Sequence, residues 1–241
     1  MTPVLSVRGL QFQFGGHPVL TDCSFEARAG QMIGLLGRNG AGKTTLFRLI
    51  AGLYPSDPDQ LHIGGRSADR ARQDSVVAFV PDMPLLYPRL SLEENMAAFA
   101  LLWGVPSRQA RARAEDLMKR LDLWEHRRKY VQDLSRGMKQ KASIIAGLLP
   151  TPQLLLLDEP TNGLDYTSVR SLKQLLDTYR QEGGCVLMSS HSPDVLHDYV
   201  TDLLLLTDGR ISTPPDPAVF FADHGFERFF AEQERHAGQK R

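Results

Sequence analysis

Residues 32–53 read MIGLLGRNGAGKTTLFRLIAGL. The first five, MIGLL, form a short apolar run with no polar alternation, the mark of a strand buried on both faces. It passes directly into the loop Gly37-Arg38-Asn39-Gly40-Ala41-Gly42-Lys43-Thr44, and KTTLFRLIAGL then follows as a helical pattern. This is G-x-x-x-x-G-K-[ST] in its required setting, after a strand and opening a helix. Glycines let successive backbone N–H groups turn inward around a phosphate without Cβ clashes. The helix offers its first N–H groups and its dipole to the same anion. Lys43 is placed to reach the β- and γ-phosphates and the Thr44 hydroxyl to ligate Mg²⁺.

Upstream, residues 4–14 alternate, with Leu10, Phe12 and Phe14 separated by Gln11 and Gln13, as in a half-buried antiparallel strand. Gly15-Gly16 turns the chain, and PVLTDCSFEA is the next candidate strand. Residues 59–80 look β-like, with Leu61 and Ile63 alternating and VVAFV at 76–80. From about 85 to 150 the pattern is helical. Ser91 and Glu94 form a capping box that opens SLEENMAAFALLWG, and Gly104 ends it. Ser107 starts a second helix through about residue 123, and Ser135 caps a third, RGMKQKASIIAGLL, closed by Pro150. Strand and helix then alternate: LLLLD at 154–158, a helix over 167–181 stopped by Gly183-Gly184, and VLMSS at 186–190. DLLLLTDGRIS carries a hairpin signal at Asp208-Gly209. A tail from about 213 begins TPPDP, with one short aromatic helix and a frayed polar end. The predicted order is a mixed β layer, a parallel α/β core, a helical insertion too short to be independent, then more α/β.

LLLLDE places Asp158 and Glu159 at the C-terminal end of a buried strand, the edge where ligands bind in open α/β sheets. Buried acids are costly without a partner, and a Mg-nucleotide supplies one. Asp158 is the candidate for holding Mg²⁺. Glu159 is the candidate for orienting or deprotonating a water that attacks the γ-phosphate.

The 241 residues carry 28 Lys plus Arg against 28 Asp plus Glu, a balance that argues against sequence-independent nucleic-acid binding. Cys23 and Cys185 are far apart and in apolar surroundings, so they read as small buried hydrophobes of a reducing compartment. No apolar run approaches the roughly 18 residues of a membrane-spanning helix. MTPVLSVRGLQFQF lacks the basic and apolar segments of a secretory signal, so the expected location is cytoplasmic.

Over residues 4–212 these motifs, in this order, resemble the ABC ATPases. LSRGM (Leu134 to Met138) resembles the family signature LSGGQ. Asp165, in NGLD, is similar to the D-loop aspartate, and His191, after VLMSS, to the switch histidine. Phe14 stands where the family stacks an aromatic ring on adenine, and Asp82 where it has its Q-loop. The resemblance implies a P-loop NTPase core with a parallel sheet, an N-terminal antiparallel β subdomain and an inserted helical subdomain. It implies ATP and Mg²⁺ as cofactors, with Lys43, Glu159 and His191 catalytic. Gly37 to Thr45, Phe14, Ser135, Gly137 and Asp165 would bind the nucleotide, and Thr44, Asp158 and Asp82 the metal. Ser135 and Gly137, at a helix N-terminus, make a second anion site. In the family's head-to-tail dimer, homodimer or heterodimer, that site closes over ATP held by the other subunit. The implied partner is a separate transmembrane permease on the cytoplasmic face, with no nucleic acid. Leu85, Leu86, Tyr87 and Leu90 read either as its docking surface or as subdomain core.

Two motifs depart from the family pattern. The Q-loop Gln is Asp82, which cannot donate as an amide does. In the signature, Arg136 and Met138 replace Gly and Gln. The acidic Q-loop with GMKQK resembles exporter subunits for drugs, lipids or polysaccharides. Two readings besides transport stay open: a non-transport ABC ATPase acting on nucleic acid or ribosomes, and a nucleotide-binding module that hydrolyses poorly.

Overall fold

In the computed structural model, which describes residues 2–68, 76–222 and 225–231, the apolar runs alternate between two cores. β3 (Met32–Leu36), β7 (Leu154–Asp158), β8 (Cys185–Ser190) and β9 (Asp202–Thr207) form the centre of the sheet. Ile33, Leu35, Leu154, Leu156, Leu187, Leu204 and Leu206 point to one face. Met32, Leu36, Leu155, Leu157, Val186, Met188, Leu203 and Leu205 point to the other. Both faces are covered, so these strands need no polar alternation. Full burial of each Leu contributes about 1.5–3 kcal/mol.

Among the described residues ten strands form one curled sheet, in the order β5-β4-β1-β2-β10-β9-β3-β8-β7-β6. β6 (Val77–Val80), β7, β8, β3 and β9 are parallel. β1 (Leu5–Phe14), β2 (His17–Ala27) and β4 (Leu61–Ile63) form the antiparallel end, with β5 (Arg66–Ser67) outermost. β10 (Arg210–Ser212) joins the halves, antiparallel to β9 through the expected Asp208-Gly209 turn and parallel to β2 at Arg210↔Asp22. α1 (Lys43–Ile50) packs Leu46, Phe47, Leu49 and Ile50 between the two halves.

The other face carries α5 (Tyr166–Gln181), α6 (Pro193–Tyr199) and the helical insertion. The insertion holds α2 (Leu92–Leu102), α3 (Ser107–Arg120) and α4 (Arg136–Leu148). The capping box is formed: Ser91 Oγ accepts from the Glu94 amide at 3.3 Å, and Glu94 Oε2 from the Ser91 amide at 2.7 Å. Asn95, fully buried, donates to the carbonyls of Tyr87, Leu90 and Ser91 and accepts from the Tyr87 amide. That one side chain pins the loop before α2 onto the helix.

Several expectations shift. α1 stops at Ile50 rather than 53, because Gly52 turns with φ 78°. α3 ends at Arg120, and Asp122 takes φ 56° beyond it. Among its described residues the β-like stretch 59–80 contains three short strands, β4, β5 and β6, and its part over 69–75 lies outside the described residues. α6 was not foreseen, because seven residues carry too little periodicity. The cluster Leu85, Leu86, Tyr87, Leu90 divides: Leu85 and Tyr87 are exposed while Leu86 packs on the core. α7 (Pro217–Ala222) is the expected aromatic helix, and residues 225–231 are also helical. The polar end from 232 lies outside the described residues. Both cysteines are buried, and burial pushes each thiol up to about 12, which leaves them inert.

Candidate active site

Strand register brings the site together. Asp158↔Ser189 and Leu36↔Ser190 pair at the C-terminal ends of β7, β8 and β3, so the loop after β3 starts beside both serines. Asp158, 4% exposed, accepts from the Thr44 hydroxyl at 2.7 Å and the Ser189 hydroxyl at 2.6 Å. Hydrogen bonds to a charged group contribute about 1.5–3 kcal/mol each, which offsets its desolvation. Ser189 Oγ also accepts from the Glu159 amide at 3.1 Å. The serines that close the apolar strand CVLMSS are the sequence signal for this residue.

Glu159 has φ 50°, a left-handed conformation costing a non-glycine residue about 1–2 kcal/mol. This strain places its side chain in the cleft, with Oε1 4.0 Å from Lys43 Nζ. His191 Nδ1 lies 3.0 Å from Glu159 Oε2 without hydrogen-bond alignment, so that buried oxygen has no donor. Lys43 is buried and donates to the carbonyls of Gly37 at 2.7 Å and Arg38 at 3.3 Å. Burial lowers its pKa, opposed by the nearby charges of Glu159 and Asp158. Gly42 holds φ 106° at the start of α1, a conformation closed to most side chains.

The cleft, about 420 Å³, is lined by Phe14, Arg38, Asn39, Gly40, Gly42, Lys43, Thr44, Thr45, Asp82, Asp158 and Glu159. Residues from 14 to 159 thus converge on one space. Phe14 is half exposed, its ring edge-on to Phe12 and Tyr54 at 4.9 and 5.5 Å. Asp82 accepts from Asn162 Nδ2 at 2.9 Å.

The chemistry fits a Mg-nucleotide. The cradle supplies backbone donors and a buried cation, and the Thr44–Asp158 pair supplies hard oxygens. Among the described residues no group of three or more His, Cys, Asp or Glu could hold a metal alone. A site of this kind takes Mg²⁺ together with substrate phosphates and waters.

Ser135, Gly137 and Asp165 lie outside this cleft. Ser135 caps α4, accepting from the Met138 amide at 3.2 Å, and no acidic residue sits in that helix's first turn. Asp165 caps α5, accepting from the Ser168 amide at 2.7 Å; Ser168 holds its carboxyl below the usual range. Gly137 meets the backbone of residue 163, where an added Cβ would come 2.6 Å from the Gly163 carbonyl oxygen. Gly137→Ala is therefore expected to cost about 1–3 kcal/mol. Calorimetry should show a Tm drop of about 2–12 °C in a chain of this size. An unchanged Tm would mean that the facing loop yields freely.

Fold and cleft define a P-loop nucleotide-binding protein. A family model described as "ABC transporter" matches residues 20–162. The chain is 33% identical over 213 residues to the Nod factor export ATP-binding protein I of Ralstonia nicotianae, covering 87% of this chain and 66% of that one. It is 30% identical over 210 residues to the ABC-type transporter ATP-binding protein EcsA of Bacillus subtilis, covering 86% and 85%. A solved structure of the ATP-binding subunit of an ABC transporter superposes with a TM-score of 0.85 at 28% identity, covering 96% of this chain and 99% of that one. The chain therefore belongs to the ABC transporter family of ATP-binding proteins. No helix among the described residues is long and apolar enough to cross a membrane.

Proposed function

We infer that this chain binds and hydrolyses Mg-ATP to power export through a separate membrane-spanning permease, working from the cytoplasmic face beside a second ATP-binding subunit. The observation that carries the catalytic part is the Thr44–Asp158–Ser189–Glu159 network. It sets two acids in different roles at the mouth of one phosphate cradle. Asp158, doubly hydrogen-bonded, stays fixed and with Thr44 would hold Mg²⁺, which supplies charge neutralisation to the phosphates. Glu159, with one oxygen lacking a donor, is free to accept a hydrogen bond from an attacking water. His191 stands beside that oxygen at 3.0 Å and would orient the pair. Lys43 neutralises the phosphates, while Phe14 offers a half-exposed ring to the base.

Ser135 and Gly137 serve the second subunit's nucleotide. They sit at an exposed helix N-terminus with no acid in its first turn, which favours an anion. The two-subunit arrangement and the direction of transport come from family likeness, including to proteins named for Nod factor export and linearmycin resistance. Docking of the permease is supported by the exposed Met83, Leu85 and Tyr87 in the stretch before α2 that Asn95 pins. A mobile loop would lose more entropy on docking than this anchored one. The test is affinity purification of the tagged chain from detergent-solubilised membranes. A multi-span protein should co-purify and stimulate Mg-ATP turnover; a chain recovered alone in the soluble fraction, with turnover unaffected by membranes, would refute the transport role.

A further inference from the structure

The two departures from the family pattern meet in space. Asp82 lines the phosphate cleft, and its Oδ1 accepts from Asn162 in the loop that follows β7. Arg136, the first residue of α4, brings Nη2 to 3.9 Å from the same oxygen. Its stem lies over Gly163, where an added Cβ would come 3.2 Å from Arg136 Cδ. One carboxylate thus touches the cleft, the loop after β7 and the helical subdomain. The two side chains are 69% and 39% exposed, and at this length such a pair is weak. It adds little to the fold, and it can be made and broken cheaply.

We propose that the Asp82–Arg136 pair is a latch between the nucleotide cleft and the helical subdomain. Asp82 turns from Arg136 toward the cation of a Mg-nucleotide, and the Arg136 guanidinium is freed as it does so, while the packing of Gly137 on residue 163 keeps the N-terminus of α4 in place. The latch rests on the reading of the cleft as a Mg-nucleotide site. Arg136 is a positioning residue, acting through Asp82. A carboxylate engaged with Arg136 is less available to a cation, so the two interactions oppose each other, and by linkage each weakens the other equally. Without magnesium the sign reverses. A bare Asp82 would then face unneutralised phosphates, and Arg136 would relieve that repulsion.

The experiment measures the affinity of a non-hydrolysable β,γ-imido ATP analogue by titration calorimetry, in Mg²⁺ and in EDTA. It compares wild type, Arg136→Ala, Asp82→Asn and the double variant, at concentrations that keep the chain monomeric. Arg136→Ala should bind about two- to fivefold tighter in Mg²⁺ and about two- to fivefold weaker in EDTA. In the Asp82→Asn background the Arg136 substitution should change neither value. An effect of the same sign in both conditions would show Arg136 acting only through its charge, and would overturn the latch. So would an effect that persists without the Asp82 carboxylate. Absence of binding by wild type in Mg²⁺ would overturn the nucleotide reading and the latch with it, and it is seen before any variant is compared.

Discussion

Glu159→Gln is expected to reduce ATP turnover by about 10²–10⁴-fold, the usual contribution of a positioned general base. The substitution keeps the side chain's shape and leaves the backbone amide bonded to Ser189. It turns the carboxylate, whose buried Oε2 has no donor, into an amide that cannot take a proton from water. It also removes a negative charge near the phosphates, so binding of Mg-ATP should be retained or strengthened. In the two-subunit reading, the bound but unhydrolysed nucleotide accumulates a dimer. Phosphate release measures the loss, and light scattering with and without Mg-ATP measures the dimer. Turnover within threefold of wild type would remove Glu159 from the mechanism. A nucleotide-loaded monomer would instead count against the shared site alone.

Lys43→Ala should act on the other half of the cycle. The ammonium is buried, held by the Gly37 and Arg38 carbonyls, and 4.0 Å from Glu159. Loss of a charge-assisted contact to phosphate costs about 1.5–3 kcal/mol. The variant also leaves Asp158 and Glu159 to repel the incoming polyanion. Mg-ATP affinity should therefore fall by about 100-fold or more. Titration calorimetry reads the loss, and circular dichroism should show the fold intact. An affinity within fivefold of wild type would mean that the backbone donors of the loop suffice.

Much of this was legible along the chain because its signals are local. MIGLL followed by Gly37 to Thr44 specifies a strand, a cradle and a helix within one contiguous stretch. The S-x-x-E box formed as read because both partners lie three residues apart. LLLLDE marked the acids, since four consecutive leucines followed by two acids read as a strand covered on both faces, and alternate leucines do enter the two cores. The weaker signals failed where packing overrides pattern. α6 is too short to show a period, and Leu85 was indistinguishable from Leu86 until one was exposed and the other packed.

Chain order and residue type were enough to specify which chemical groups this protein carries, because glycine spacing, capping and apolar runs act over a few neighbouring residues. Which groups meet was settled by folding. Thr44 reaches Asp158 across 114 positions, and Asp158 reaches Ser189 across 31, because crossovers set β3 and β7 on either side of β8. Asp82 faces Arg136 for the same kind of reason: the helical insertion returns its last helix to the cleft. Strand order is chosen by burying both faces of the whole sheet at once, and no local stretch of sequence contains that choice.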